Sequence, residues 1–214
     1  MTAPATPKIL IVDDDASVRD GLRRLLESMS YRVETFASAH AFFDAYAADL
    51  DDRPSCLILD VRLPGSSGLD IQRALAHRPH PPIVFLTAHG DIPTSVRAIK
   101  AGAIEFLTKP VQGDDLVKAI GEALERDRAT REQNRHRSEL RRRYATLTAR
   151  EREVMRGVVA GRLNKQIAAA SRTRESTVKE QRASVMKKME ADSLADLVRF
   201  SALLGDDDDS APHL

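Results

Sequence analysis

Five short apolar runs, separated by longer segments of helical period, constrain the first 124 residues more than any other feature of the chain. The runs are Ile9-Leu10-Ile11-Val12, Tyr31 to Phe36, Cys56-Leu57-Ile58-Leu59, Ile83-Val84-Phe85-Leu86 and Ala103 to Leu107. Runs of four to six residues suit buried strands, and the second alternates apolar with polar residues as an edge strand does. Between them, series such as Val18, Leu22, Leu25, Leu26 and Met29 repeat with the spacing of a helix face. Strands alternating with helices require crossover connections, hence a doubly wound five-stranded parallel sheet covered on both faces. In that architecture ligands bind beyond the carboxyl ends of the strands.

Those ends carry chemistry. The first run leads into Asp13-Asp14-Asp15, the third into Asp60, the fourth into Thr87 and the fifth into Thr108-Lys109-Pro110. Carboxylates gathered on one rim repel, and a divalent cation with oxygen ligands such as Mg²⁺ relieves that repulsion. A carboxylate there can attack a phosphoryl group to give an acyl phosphate. Lys109 offsets charge on the transferred oxygens and Thr87 donates a hydrogen bond to one of them. Taken singly these residues have plainer roles: Asp15 reads as a helix N-cap, Thr87 as a loop hydroxyl and Lys109 as a surface charge.

The fifth helix is expected from Gln112, with Asp114 and Asp115 in its first turn, where carboxylates favour the helix dipole. It runs into 125–143, which holds eight Arg, four acids and neither Gly nor Pro. This stretch reads either as a solvated linker helix or as a stalk that aids dimerisation or touches phosphates. Beyond it the pattern is all helical. Thr148 with Glu151 forms a capping box ahead of Val154, Val158 and Val159, and Gly161 ends that helix. Further helices are expected at about 164–170, 175–188 and 193–203. The boundaries are then 1–124, a linker at 125–143, a helical domain at 144–204 and an acidic tail at 205–214, expected to be disordered.

A net charge of +1 hides an asymmetry. Residues 1–124 carry 13 Lys and Arg against 17 acids, residues 125–205 carry 20 against 11, and Asp206 to Asp209 follow. An acidic front and a basic back suit different partners, the basic one a polyanion. One cysteine, Cys56, excludes an internal disulfide framework and reads as core. No apolar run approaches the roughly 18 residues that cross a bilayer, and the N-terminus lacks the pattern of a secretion signal. A soluble, cytoplasmic protein with no membrane partner is expected.

Ile11 to Asp15, Leu59 to Gly68, Leu86 to Asp91 and Phe106 to Pro110 resemble the receiver domain of two-component response regulators, over about 8–124. The resemblance implies a flavodoxin-like receiver in which Asp60 accepts phosphate from a sensor histidine kinase. Asp13, Asp14, Asp60 and the backbone carbonyl of Arg62 hold Mg²⁺, while Thr87 and Lys109 stabilise the phosphoryl group. Thr87 and Phe106 form the switch pair; Phe106, lacking a hydroxyl, reports by ring position alone. The face made by the fourth helix, fifth strand and fifth helix dimerises on phosphorylation. His89 reads as a loop residue of this branch and not as a catalyst.

Leu147 to Val154, Asn164 to Ala168, Thr177-Val178-Lys179 and Val185 to Met189 resemble the LuxR/FixJ-type helix-turn-helix output domain. By this comparison the helix at 175–188 enters the DNA major groove. Val178, Val185 and Met189 pack inward, while Lys165, Lys179, Arg182 and Lys187 meet phosphates. The implied protein is a phosphorylation-dependent transcriptional regulator, a stoichiometric switch and not a turnover enzyme, with RNA polymerase a further partner. Two departures keep a second reading open. The turn that carries Leu-Gly in the family reads Ser171-Arg172, and Glu180 and Ala183 lie where base contacts are made. The alternative is a signalling protein whose divergent output domain binds another protein. A phosphoaspartyl hydrolase places its nucleophile after the first strand, whereas Asp60 follows the third.

Overall fold

The computed structural model describes residues 6–48, 52–88 and 90–205; His89 and the acidic segment 206–214 lie outside them. The chain divides into two compact units, Met1–Arg131 and Glu132–Leu214.

In the first unit the order is β1 (Lys8–Val12), α1 (Ala16–Ser28), β2 (Arg32–Phe36), α2 (Ala39–Ala48), β3 (Ser55–Leu59), β4 (Arg62–Leu63), β5 (Ser66–Ser67), α3 (Gly68–Leu75), β6 (Ile83–Thr87), α4 (Ile92–Lys100) and β7 (Glu105–Thr108). Helix α5 (Gly113–Ala145) follows and crosses the division between the units. All five expected strands form one parallel sheet in the order β2-β1-β3-β6-β7. Alternate strand residues feed two cores. Ile9, Ile11, Ile58, Val84 and Leu86 cluster with Leu22 and Leu26 of α1 and Leu116 and Ile120 of α5. Leu10, Val12, Leu57, Leu59 and Phe85 cluster with Phe42 of α2, Ile71 and Leu75 of α3 and Ala98 of α4. Strand β2 lies at the sheet edge, as its alternation predicts, with Arg32 exposed. Charge at an exposed edge discourages pairing with another chain. The small antiparallel hairpin β4–β5 is new, being too short for any periodicity to show.

Asp15 caps α1, accepting from the amides of Ser17 and Val18. Asp127 and Arg131, in the stretch read as a solvated linker helix or a stalk, tie α5 to the sheet. Asp127 is buried and accepts from the Ser55 amide at 2.8 Å and from Arg131 Nε at 2.6 Å. Arg131 also donates to Ser55 Oγ at 3.1 Å and pairs with Asp52 at 3.5 Å. Residues 128–130 and 132–136 are exposed, as a solvated helix requires.

In the second unit, α6 (Ala149–Val159), α7 (Asn164–Ala170), α8 (Glu175–Met189) and α9 (Leu194–Leu204) follow the end of α5. Their core joins Leu140 and Leu147 to Val154, Val158, Ile167, Val178, Val185, Met189 and Leu197. The expected Thr148–Glu151 capping box starts α6, and Gly161, at φ +73°, follows its end. The α7–α8 turn places Arg172 at φ +50°, a conformation that favours glycine. In place of a buried leucine, half-buried Ser171 donates its hydroxyl to Glu153 Oε1 at 2.8 Å. Among the described residues, no helix is long and apolar enough to cross a membrane.

Candidate functional site

Strand order reverses between β1 and β3, and a crevice opens beyond their carboxyl ends at such a point. Val12 pairs with Leu59, so Asp13 and Asp60 emerge side by side, and the Asp60 amide donates to the Val12 carbonyl at 2.9 Å. Asp13 and Asp60 are buried and Asp14 is exposed. One carboxylate oxygen from each of the three lies within 4.8 Å of the others. From the end of β7, Lys109 Nζ donates to Asp13 Oδ2 at 2.5 Å and to Asp60 Oδ2 at 2.6 Å. The Arg62 amide donates to Asp60 Oδ1 at 3.0 Å, and the Asp15 amide to Asp13 Oδ1 at 3.0 Å. The structure thus gathers Asp13, Asp14, Asp60, Arg62 and Lys109 from three separate segments, the ends of β1, β3 and β7.

Burial pushes the Asp13 carboxyl above the usual range, against the hydrogen bonds from Lys109 and the Asp15 amide. Burial acts on Lys109 to lower its pKa, but the bonds to Asp13 and Asp60 prevail and hold it above the ordinary lysine value. Lys109 therefore stays an ammonium. Three carboxylates against one ammonium leave two negative charges in a confined space. Like charges 4 Å apart repel by about 4 kcal/mol at an effective dielectric near 20. An all-oxygen donor set with that excess fits a hard divalent cation.

Two supports have no signal in composition or periodicity. Arg19 Nη1 donates to the Asp13 carbonyl at 2.6 Å. A Cβ at Gly68 would stand 2.2 Å from the Asp60 carbonyl oxygen, so only glycine lets α3 begin so close beneath the site. Gly68 stands in the motif quoted above, but its reason is visible only in three dimensions.

Thr87 ends β6 and is buried, its carbonyl accepting from the Lys109 amide at 2.8 Å. Phe106, on neighbouring β7, is half-buried with its ring centroid 6.0 Å from that of Phe85. A Cβ on Gly90 would lie 3.0 Å from Phe106 Cε1, so the loop after Thr87 rests against the Phe106 ring. Cys56 is fully buried, and burial raises its thiol pKa, as befits a core residue.

In the second unit Val178, Val185 and Met189 of α8 are buried. Ser176, Lys179, Glu180, Ala183 and Lys187 are exposed and span an arc of about 100° on the opposite side, at 3.6 residues per turn. Lys165 of α7 is exposed as well. Arg182 lies off this arc, half-buried, with Nη1 donating to Asn164 Oδ1 at 3.4 Å. Arg172 and Arg174, in the turn ahead of α8, are exposed cations passed over in reading the helix alone.

Residues 9–121 match the family described as response regulator receiver domain, and residues 145–201 match bacterial regulatory proteins, luxR family. The chain is 48% identical over 198 residues to Nodulation protein W of Bradyrhizobium diazoefficiens, covering 92% of this chain and 86% of the relative. It is 46% identical over 200 residues to response regulator protein TmoT of Ectopseudomonas mendocina, covering 92% and 89%. The solved structure of response regulator StyR aligns with a TM-score of 0.78 at 42% identity, covering 92% of this chain and 99% of that one.

Proposed function

Since the chain belongs to the two-component response regulators of the LuxR/FixJ family, and is thereby a phosphorylation-dependent transcription regulator, we propose that Asp60 is its phosphoacceptor and that α8 carries its DNA contacts. The family is one of regulators and not of turnover enzymes. The observation that carries the Asp60 assignment is the bridge of Lys109 between Asp13 and Asp60 beside an exposed Asp14.

The donor is a phosphohistidine of the cognate sensor kinase. An Asp60 oxygen bonds to phosphorus as the P–N bond breaks, and the imidazole nitrogen keeps the electron pair and takes up a proton. Asp13, Asp14, Asp60 and the backbone carbonyl of Arg62 would hold Mg²⁺. When bound, Mg²⁺ neutralises charge on the oxygens of the transferring group. The Arg62 amide orients the Asp60 carboxylate through Oδ1. The Lys109 ammonium passes from Asp13 and Asp60 to a phosphoryl oxygen, and the Thr87 hydroxyl donates to another.

A phosphoryl group adds about −1.5 to −2 charge and three acceptor oxygens, which favours the conformation with Thr87 drawn inward. Phe106 fills the space that opens, and the face of α4, β7 and α5 changes shape. On α4, Ile92, Val96 and Ile99 are exposed at 79%, 43% and 44%. Their spacing of four and three residues places them on one stripe. This stripe is the homodimer contact of the phosphorylated form. Lys165, Lys179 and Lys187 make phosphate contacts on DNA, and Arg182 joins them by leaving Asn164 Oδ1; RNA polymerase is the downstream partner, and the compartment is the cytoplasm. By function the chain divides into a receiver at 1–124, a linker at 125–143, an output domain at 144–204 and an acidic tail at 205–214.

Salt-varied DNA binding by the wild type, with and without a small phosphodonor, against Asp60→Asn tests this reading. Phosphodonor-dependent binding is expected of the wild type only, with affinity falling steeply as salt rises. Equal affinity of both proteins contradicts phosphorylation control. No binding by either gives the output domain to a protein partner.

A further inference from the structure

The outer arc of α8 holds an acid where phosphate contacts alone call for cations. Resting on the DNA-binding reading above, we propose that Glu180 reads a base, accepting a hydrogen bond from the N4 amino group of a cytosine in the major groove.

Glu180 is exposed, on the side of α8 opposite Val178, Val185 and Met189. Its helical neighbours three and four residues away are Ser176, Thr177, Ala183 and Ser184, none charged and none large. Those are the positions from which a helix pairs its own charges. Elsewhere in the second unit acids use such partners: Glu139 pairs with Arg142 and Arg143, Glu153 with Arg150, and Asp196 with Arg199. Among the described residues no cation lies within ion-pair distance of Glu180. Lys179 is one residue away, at the other end of the arc about 100° round the helix; Lys187 is almost two turns on, about 10 Å along the axis. Glu175, another exposed acid of α8, has a local explanation in the first turn, where a carboxylate favours the helix dipole.

An unpaired carboxylate facing DNA lowers affinity for phosphates everywhere, so it earns a place on this face only through a particular base edge. In the major groove guanine presents N7 and O6 and thymine presents O4, all acceptors that repel a carboxylate. Cytosine presents the N4 donor alone, and adenine presents its donor beside an acceptor at N7. Cytosine is the match. Ser176 and Ala183 on either side leave room for the helix to approach the base edges, while Lys179 and Lys187 hold the backbone from the same face. Glu180 therefore sets specificity through rejection as much as attraction.

The test is selection from a random duplex library by the full chain loaded with a small phosphodonor, comparing wild type, Glu180→Ala, Glu180→Gln and, as an equal loss of charge, Glu175→Ala. The wild type and Glu175→Ala should enrich a site with cytosine at one shared position. Glu180→Ala should lose that preference about tenfold while preferences elsewhere stay. Glu180→Gln should move the position towards adenine, which a glutamine amide matches. If Glu180→Ala keeps the wild-type site and merely binds every sequence more tightly, the carboxylate only repels phosphates and the inference is overturned. If the wild type enriches no site, the DNA-binding reading falls, and this inference with it.

Discussion

Glu151 lies buried in the second unit, with its carboxylate accepting from Lys188 Nζ at 2.7 Å, Ser184 Oγ at 2.6 Å and the Thr148 amide at 2.8 Å. The hydrogen bond from Lys188 leads, followed by those from Ser184 and Thr148, in lowering its pKa from 4.5 to about 2. A folded-state pKa below the unfolded value contributes stability that is present above about pH 4.5 and is lost as pH falls towards 2. Glu151→Gln should be less stable at pH 7 by roughly 1.5–3 kcal/mol, the range for hydrogen bonds to charged groups. In urea unfolding across pH, the gap from wild type should close between those two values. The half of this cluster made with Thr148 was legible as a capping box; Lys188, 37 residues further on, was not. Arg172 gives a second residue-scale prediction. A non-glycine residue in the left-handed region costs about 1–2 kcal/mol, and a glycine returns about 0.5–1 of that in chain entropy. Arg172→Gly should raise the stability of the second unit by a few tenths to about 1 kcal/mol, measured by denaturant midpoint.

At the scale of elements, legibility followed range. Three of the five strands showed in the sequence because adjacent apolar residues fill a buried strand, and β2 showed by its alternation; Ser193 and Gly161 marked helix ends for equally local reasons. The β4–β5 hairpin was too short to show. The length of α5 followed from the absence of Gly and Pro in 125–143, but its anchoring did not, because Asp127 and Ser55 are 72 residues apart. A run rich in Arg and Glu reads as solvated until the partner strand is in place. Asp127→Ala leaves the Ser55 amide and the Arg131 guanidinium without their shared acceptor, a loss of about 3 kcal/mol by analogy with breaking buried ion pairs. Denaturation should show that loss, and hydrogen exchange should show faster exchange at Ser55; unchanged exchange there would mean that the helix is held by its apolar face alone.

For the whole molecule, the charge asymmetry between 1–124 and 125–205 was visible from counting, and it separates a rim that collects acids from helices that present cations. The rim was legible because one topology brings the ends of β1, β3, β6 and β7 together; the individual distances were not. The exposed stripe of Ile92, Val96 and Ile99 went unremarked, since apolar residues at helical spacing read as a core-facing stripe until their exposure is seen. Ile99→Glu should leave phosphorylation intact while keeping the protein monomeric in sedimentation velocity; a dimer formed as readily as in the wild type would move the contact to another face. Everything downstream depends on Asp60 taking a phosphoryl group. Intact-mass spectrometry after incubation with acetyl phosphate and Mg²⁺ should show one added phosphoryl group on the wild type, none on Asp60→Asn, and none on the wild type when the metal is chelated. An unchanged wild-type mass, or an equal gain by Asp60→Asn, would contradict it.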